Sequence, residues 1–420
     1  MSSANRVTRQ PSCDDEYDPA LLPVDGALKR IAETVSPISD VEVVALRQAL
    51  DRILAADVHS PIEVPNHTNS AMDGYALRFA DLDKTSLQMI GTAWAGRAFN
   101  GSVGPAESVR IMTGAVLPDG ADTVVMQEHV ERDGDVIRVA GGQREGQHVR
   151  HAGEDLARGG TALRAGRRLL AADIGMVASL GIGELPVLRR PQVAFFSNGD
   201  ELRSLGQPLA LGEVYDSNRY TLHGMLTRAG VTFNDLGVVP DDREQIKNTF
   251  LRAASMADVV ITSAGASVGD ADYVKEVLDE IGQVNFWKIA MKPGRPLSFG
   301  RIGDSLFFGL PGNPVSVMVT FYQFVLPALK HLSGEIAWQP LRLRARTTDR
   351  LKKLPGRTEF QRGFLSQDES GALVVATTGE QGSGILSSMS QANCFVILPL
   401  ESAGAQPGDS VIVEPFAGLV

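Results

Sequence analysis

Acidic residues recur at what read as the ends of predicted strands: Asp200 and Glu201, Asp241 and Asp242, then Asp270 and Asp272. Hard carboxylate oxygens of this kind suit Mg²⁺, and equivalent ends of parallel strands lie on one edge of a sheet, so Glu201, Asp241 and Asp272 are expected to converge there. Taken singly, each is more often a helix cap; the convergence of three is what points to a metal. Next comes Lys288-Ile-Ala-Met-Lys292-Pro-Gly-Arg295-Pro, which brings three cations toward the same edge and limits loop entropy with two prolines. Lys288 and Lys292 suit phosphate or an oxyanion as point charges, and Arg295 suits a bidentate contact. A solvated basic loop is the plain alternative.

The loop from Thr262 to Asp272 joins a predicted strand to a predicted helix. Gly265 and Gly269 allow close backbone approach to an anion, Ser267 offers a hydroxyl, and a helix N-terminus supplies partial positive charge. An ordinary strand-to-helix turn would look the same. The stretch also satisfies the G-x-S-x-G pattern of a serine hydrolase. That chemistry needs an acid and then a histidine after the serine, and the only later histidine is His331, in an apolar helical segment. In Leu310-Pro311-Gly312-Asn313-Pro314, Asn313 suits an N-cap and Pro314 a first helical position, and the turn's amides can also face a phosphate.

These groups need a frame, and the pattern provides one: strand Gln192–Phe196, helix Asn218–Ala229, strand Val231–Val239, helix Arg243–Ala254, strand Asp258–Thr262, helix Asp272–Ile281 and strand Val284–Ile289. This alternation predicts a central doubly wound α/β domain over 191–335 within an α/β multidomain chain. Ahead of it, residues 1–19 read as a flexible tail, and 61–149 as a β-rich inserted domain with a hairpin at Asp133-Gly134. Residues 20–60 plus 150–190 are expected to form a small discontinuous helical domain, with helical spacing at Val24–Val35 and again at Leu46–Leu54. Short β-type runs, Leu341–Arg346, Ala372–Thr377, Cys394–Leu398 and Ser410–Val413, predict a C-terminal β domain over 336–420.

Composition narrows the function classes. With 420 residues, 43% apolar and 21% charged, the chain suits several folded domains. A net charge of −10 argues against nonspecific nucleic-acid binding, so an anionic ligand needs locally gathered cations. Two cysteines exclude a disulfide scaffold or a cysteine-based zinc site and suit a reducing cytoplasm. No export signal is evident at the N-terminus. The most apolar stretch, Val315–Leu332, is broken by Gln323, Pro327 and Lys330 and reads as a buried helix, so no membrane role is expected.

Several further segments name no reaction by themselves: Asn69-Ser-Ala-Met-Asp-Gly-Tyr-Ala76, Arg110-Ile-Met-Thr-Gly-Ala115 and Gly153-Glu-Asp155. His148, Arg150, His151, Glu154 and Asp155 match no zinc spacing. Together with Asn198-Gly-Asp-Glu-Leu202, Ser267-Val-Gly-Asp-Ala-Asp-Tyr273, Lys292-Pro-Gly-Arg-Pro296 and Leu310-Pro-Gly-Asn-Pro314, in this order, the segments resemble the molybdopterin molybdenumtransferase family (molybdenum insertases of the MoeA and gephyrin E-domain type). The resemblance spans roughly residues 20 to 415.

That resemblance implies a homodimer that takes adenylylated molybdopterin and molybdate, works with Mg²⁺, and releases molybdenum cofactor and AMP, the alternatives being pterin adenylylation or a non-catalytic scaffold of the same fold; the upstream adenylylating protein is a further expected partner. Carried over residue by residue, it implies that Asp73 and Thr113 face the site from the β-rich domain across the dimer interface, while Glu201, Asp241, Asp272, Lys288 and Lys292 line it from the α/β domain. Glu201, Asp241 and Asp272 are the expected metal ligands. Asp155, Gly265, Ser267, Gly269, Arg295, Pro311, Gly312, Asn313 and Pro314 are expected to contact the pterin nucleotide. The absence of a Cys/His cluster fits, because molybdenum would arrive as an oxyanion and take its sulfur ligands from the pterin. Three departures stand out: Ser-Ala264-Gly-Ala266-Ser where the family usually has Gly-Gly-Val, Asn198 for a frequent Thr, and Pro65-Asn-His-Thr68 for the usual Pro-Phe-Asp.

Overall fold

The computed structural model describes residues 21–264, 273–335 and 338–416. They form two compact units: Glu42–Val187, and a second made of the chain up to Val41 and from Leu188 onward.

The second unit is built on a six-stranded sheet with the order Thr232–Val239, Gln192–Asn198, Val259–Ser263, Ser305–Leu310, Pro296–Ile302, Gly282–Lys288. The first four strands are parallel, and Pro296–Ile302 is antiparallel to both of its neighbours. Alternate side chains face opposite sides of a strand. Accordingly Ala194, Phe196, Val260 and Phe307 pack under helices Arg243–Met256 and Tyr273–Ile281, while Val193, Phe195, Val259, Ile261 and Phe308 pack under Ser217–Ala229 and the helix after Asn313. This is the doubly wound α/β arrangement that the alternation predicts. The hairpin 296–310 was not anticipated, because its two strands lie between glycine- and proline-rich turns that dominate the local pattern.

Helix Val24–Thr34 contributes Val24, Ala27 and Ile31 to this same core, beside Val325 and Leu329. It therefore packs with the α/β sheet rather than with the segment 150–190 expected to share its domain. The helix Pro314–Leu332 is long and apolar enough to cross a membrane, yet 72% of its apolar window is buried inside the protein, as suits a core helix. Its middle, Phe321–Val325, widens into a π-turn, which eases the clash that the ring of Pro327 would make with the carbonyl four residues back.

After this helix comes a closed five-stranded barrel. Strand Thr358–Gln367 pairs with both Leu373–Thr377 and Cys394–Leu398, and Leu343–Thr347 and Ser410–Pro415 complete the ring. The long Thr358–Gln367 strand is the element missing from the sequence reading; its Thr-Glu-Phe-Gln-Arg-Gly start lacks clean alternation. Arg362, 1% exposed, pins the ring: its guanidinium donates to the Glu380, Gln381 and Gly382 carbonyls and to Ser388 Oγ at 2.9–3.0 Å. Burial lowers its pKa to about 10.

In the Glu42–Val187 unit, the six-stranded sheet includes the antiparallel strands Gly74–Leu77, Glu107–Ile111 and Thr123–Met126. The predicted hairpin is present between Val130–Asp133 and Val136–Val139. Its register pairs Asp133 with Val136, so the two turn residues are Gly134 and Asp135, with Gly134 at φ 59°. The flanks 49–58 and 163–187 share a separate core of Ala49, Leu54, Val58, Leu163, Val177 and Val187. The helix expected at Leu46–Leu54 is instead a short 3-10 turn, Leu46–Gln48. Asp51 takes the left-handed φ of 62°, and Ile53 and Leu54 bridge to Arg168 and Val187, so the apolar spacing serves cross-chain pairing rather than a helical stripe.

Candidate active site

The carboxyl ends of the sheet strands form one edge. Asn198 is level with Val239, Ser197 with Ser263, and Ser263 with Leu310. The register continues through Ser298 opposite Gly309 to Lys288 opposite Pro296, so Lys288 reaches the same edge. At about 4.8 Å per strand, the turn bearing Lys288 lies roughly 10 Å sideways from Leu310 and roughly 24 Å from the end of the Thr232–Val239 strand. The edge is therefore polar in the electrical sense: Glu201 and Asp241 follow adjacent strands at one end, and the cationic turn stands at the other.

The acidic end is fixed by short contacts. Asn198, 6% exposed, donates from Nδ2 to the Val239 and Pro240 carbonyls at 3.1 and 3.4 Å and so joins two strand ends. Asp241 N–H donates to Asp200 Oδ1 at 3.1 Å, and Asp242 accepts from Gln245 N–H at 2.8 Å as the helix N-cap. That leaves Glu201 and Asp241 as exposed carboxylates on neighbouring turns. Among the described residues, no group of three or more His, Cys, Asp or Glu is arranged to hold a metal. The third expected ligand, Asp272, lies outside the described residues, as do Gly265, Ser267 and Gly269. The two hard carboxylates that are described fit a Mg²⁺ donor set in chemistry.

At the centre of the edge, Ser263 Oγ donates to Ser197 Oγ at 2.9 Å, and both are buried. Ala264 follows with φ 73°, a left-handed conformation that favours glycine. Opposite, the Leu310–Pro314 turn is gripped twice: Asn218 Nδ2 donates to the Gly312 carbonyl at 2.7 Å, and Val315 N–H to the Ser383 carbonyl at 3.1 Å. Asn313 is the N-cap residue and Pro314 the first helical residue, as expected, but the Asn313 side chain makes no capping bond. Pro311 is buried, and Gly312 and Asn313 are exposed.

The cationic turn is tied down at both ends. Leu22 N–H donates to the Lys288 carbonyl at 2.9 Å, Ala290 N–H to the Leu22 carbonyl at 2.8 Å, and Ile289 N–H to the Arg295 carbonyl at 2.7 Å. The Lys292-Pro293 bond is cis, and Gly294 has φ 92°. A Cβ at Gly294 would lie 2.6 Å from Thr320 Oγ1, so the turn needs glycine for both conformation and space. Lys288 and Lys292 are exposed, and Arg295 is half-buried. Met291–Lys292 pairs in parallel with Thr358–Glu359 at the start of the long barrel strand.

In the Glu42–Val187 unit the structure brings Asp73 and Thr113 together. One carboxylate oxygen of Asp73 accepts from the Thr113 backbone N–H at 2.7 Å and from its hydroxyl at 2.8 Å. These two bonds, the backbone one foremost, hold the Asp73 carboxyl below its ordinary value, with the Arg110 charge adding to them. Arg110 itself donates to the Gly74 carbonyl at 2.7 Å and lies over the Tyr75 ring. Asp155 is exposed on a turn whose N–H groups bond the Val64 carbonyl; next to it, His151 N–H donates to Glu154 Oε2 at 2.9 Å, a local turn contact.

The sequence reading missed Asn218, Ser383 and Glu359 as residues that shape the edge. Asn218 lies two residues after Asp216, the N-cap of its helix, and the sequence marked it only as the start of that helix. Ser383 acts through its carbonyl, and Glu359 sits in the unread strand, so neither had a local signal.

Residues 22–181 match the MoeA N-terminal region (domain I and II), 194–331 a probable molybdopterin binding domain, and 344–416 the MoeA C-terminal region (domain IV). Over 403 residues the chain is 42% identical to a molybdopterin molybdenumtransferase of Haemophilus influenzae, covering 95% of this chain and 100% of the relative. It is 33% identical to gephyrin of Dictyostelium discoideum, covering 93% of this chain and 62% of that protein. It is also similar to the crystal structure of a molybdopterin biosynthesis moeA protein from Pyrococcus horikoshii OT3, with a TM-score of 0.83 and 30% identity over 94% of this chain and 100% of that one.

Proposed function

The chain belongs to the molybdopterin molybdenumtransferase family, and on that premise we propose that it inserts molybdenum from molybdate into adenylylated molybdopterin and releases AMP in a Mg²⁺-dependent reaction. The observation that carries this reading is the charge arrangement along one sheet edge, with Glu201 and Asp241 at one end and Lys288, Lys292 and Arg295 at the other. An oxyanion and a phosphate linkage need different partners, and the edge offers both.

Lys288 and Lys292 bind molybdate as point charges, and Arg295 on the same turn offers a bidentate contact to the bound anion. Glu201 and Asp241, with Asp272, would hold Mg²⁺, which would supply charge neutralisation at the phosphate linkage. The loop with Gly265, Ser267 and Gly269, and the turn Pro311-Gly312-Asn313-Pro314, contribute backbone amides and a hydroxyl toward the pterin nucleotide. Asp73 and Thr113 form a preorganised acceptor and hydroxyl pair, and Asp155 a further polar contact. Placement of charge would provide most of the rate enhancement.

We further propose a homodimer working in the cytoplasm and receiving its substrate from the adenylylating protein. Leu205, Leu209, Leu211, Val214 and Tyr215, all exposed in one segment of the α/β unit, support a protein-covered surface there.

The test is AMP release from adenylylated molybdopterin, with and without molybdate, at fixed Mg²⁺. Molybdate-dependent AMP is the expected result; absence of that dependence would sink the insertion reading. AMP formed only when ATP and free molybdopterin are supplied would instead indicate adenylylation.

A further inference from the structure

Lys292 is held in place from the C-terminal barrel. Its register partner is Glu359, and its Nζ lies 3.7 Å from Glu359 Oε1. The Glu359 side chain is 10% exposed and that of Lys292 47%. The other carboxylate oxygen, Oε2, accepts from Gln361 Nε2 at 2.9 Å, and the same amide donates to the Lys352 carbonyl at 2.9 Å. Glu359 is thus fixed at its backbone and at one carboxylate oxygen, whereas Lys292 has a flexible stem of four carbons.

A carboxylate this buried is tolerated only where partners compensate its desolvation. Here the charge sits beside Lys292 of the turn, and the Lys353 ammonium of the barrel also interacts with it. At 3.7 Å the contact is longer than a hydrogen bond and orients the ammonium by charge, which leaves the N–H groups directed away from Glu359 for an oxyanion.

We propose that Glu359 is a positioning residue for oxyanion binding: it holds the Lys292 ammonium at the sheet edge, which makes the barrel a functional part of the site. The inference rests on the reading of Lys292 as a molybdate contact.

The test uses the full chain with Glu359→Asp, which keeps the charge but withdraws it by one methylene. Trace acetic anhydride labelling of the folded protein, quantified by peptide mass spectrometry with Lys288 as internal reference, reads the release of Lys292 without any substrate. An ion pair with one half-exposed partner is worth enough to change labelling about threefold. The molybdate KM is expected to rise about threefold as well, with kcat within about twofold. Glu359→Gln keeps the shape and a side-chain oxygen for Gln361, and serves as a second variant for labelling if the Asp variant folds poorly. Unchanged Lys292 labelling in the folded variant overturns the positioning role. Faster labelling with an unchanged molybdate KM overturns its link to the oxyanion. Failure of the underlying functional reading is distinct, because wild-type protein would then show no molybdate-dependent AMP.

Discussion

Asp73 receives two hydrogen bonds on a single carboxylate oxygen, both from Thr113, and so presents a fixed acceptor beside a fixed hydroxyl. Thr113→Val removes only the hydroxyl bond. The Asp73 pKa should rise but remain below its ordinary value, because the backbone bond is the larger cause of the depression. The sign follows from linkage: a depressed carboxyl pKa contributes stability above the unfolded-state value and loses it as pH falls through the folded-state value. The stability difference between wild type and variant should therefore be largest near neutral pH and vanish in acid. A carboxyl-carbon NMR titration and acid unfolding curves check both statements; an unshifted Asp73 would exclude the hydroxyl bond.

Asp272→Ala should lower AMP release at least about tenfold, since it removes one expected ligand from a charged transition state. Single-turnover measurements at saturating Mg²⁺ give the number. Wild-type turnover would remove Asp272 from the mechanism.

Ala264 occupies a left-handed backbone conformation, φ 73°, that favours glycine. The side chain costs about 1–2 kcal/mol in that region, and glycine's greater unfolded-state entropy offsets about 0.5–1 of it. Ala264→Gly should thus stabilise the protein by about 0.5 kcal/mol. Urea unfolding would show a higher midpoint at an unchanged slope; a lower midpoint contradicts the strain argument.

Gly294→Ala should act in the opposite direction. The backbone has φ 92°, and the new methyl would meet Thr320 Oγ1 at 2.6 Å. A loss of about 2 kcal/mol or more is expected from strain and overpacking together. Because Lys292 and Arg295 flank this glycine, weaker molybdate binding should accompany the lower unfolding midpoint.

Arg362→Met would leave the Glu380, Gln381 and Gly382 carbonyls of the loop beside the barrel without their donor. Removing a buried charge recovers desolvation energy, but orphaned acceptors cost about 1 kcal/mol or more each, so a net loss of about 2 kcal/mol is expected. Hydrogen exchange should rise first in the loop around Glu380–Gly382.

The α/β body was legible because its strands and helices alternate with two distinct periods, and because strand ends carry the chemistry whatever the details of packing. Legibility failed where local pattern and long-range pairing diverged. Leu46–Leu54 has helical apolar spacing but is claimed by bridges to Arg168 and Val187, more than a hundred residues away. The pairing of Asp73 with Thr113 joins residues forty apart, and only the family resemblance singled them out. Glu359 was invisible because nothing near it in sequence indicates that its strand lies against Lys292.

The reversed strand Pro296–Ile302 has a consequence for how this architecture can change. Two reversals separate Ser305–Leu310 from Gly282–Lys288, and their parity is even, so the outermost strand points the same way as the four parallel ones. Adding or losing a whole hairpin there preserves this parity and only slides the cations sideways along the edge. A change of one strand would invert it and carry Lys288 to the opposite rim, where no acidic end faces it. The distance between the two charged ends is therefore open to adjustment in steps of two strands, while their shared side of the sheet is not.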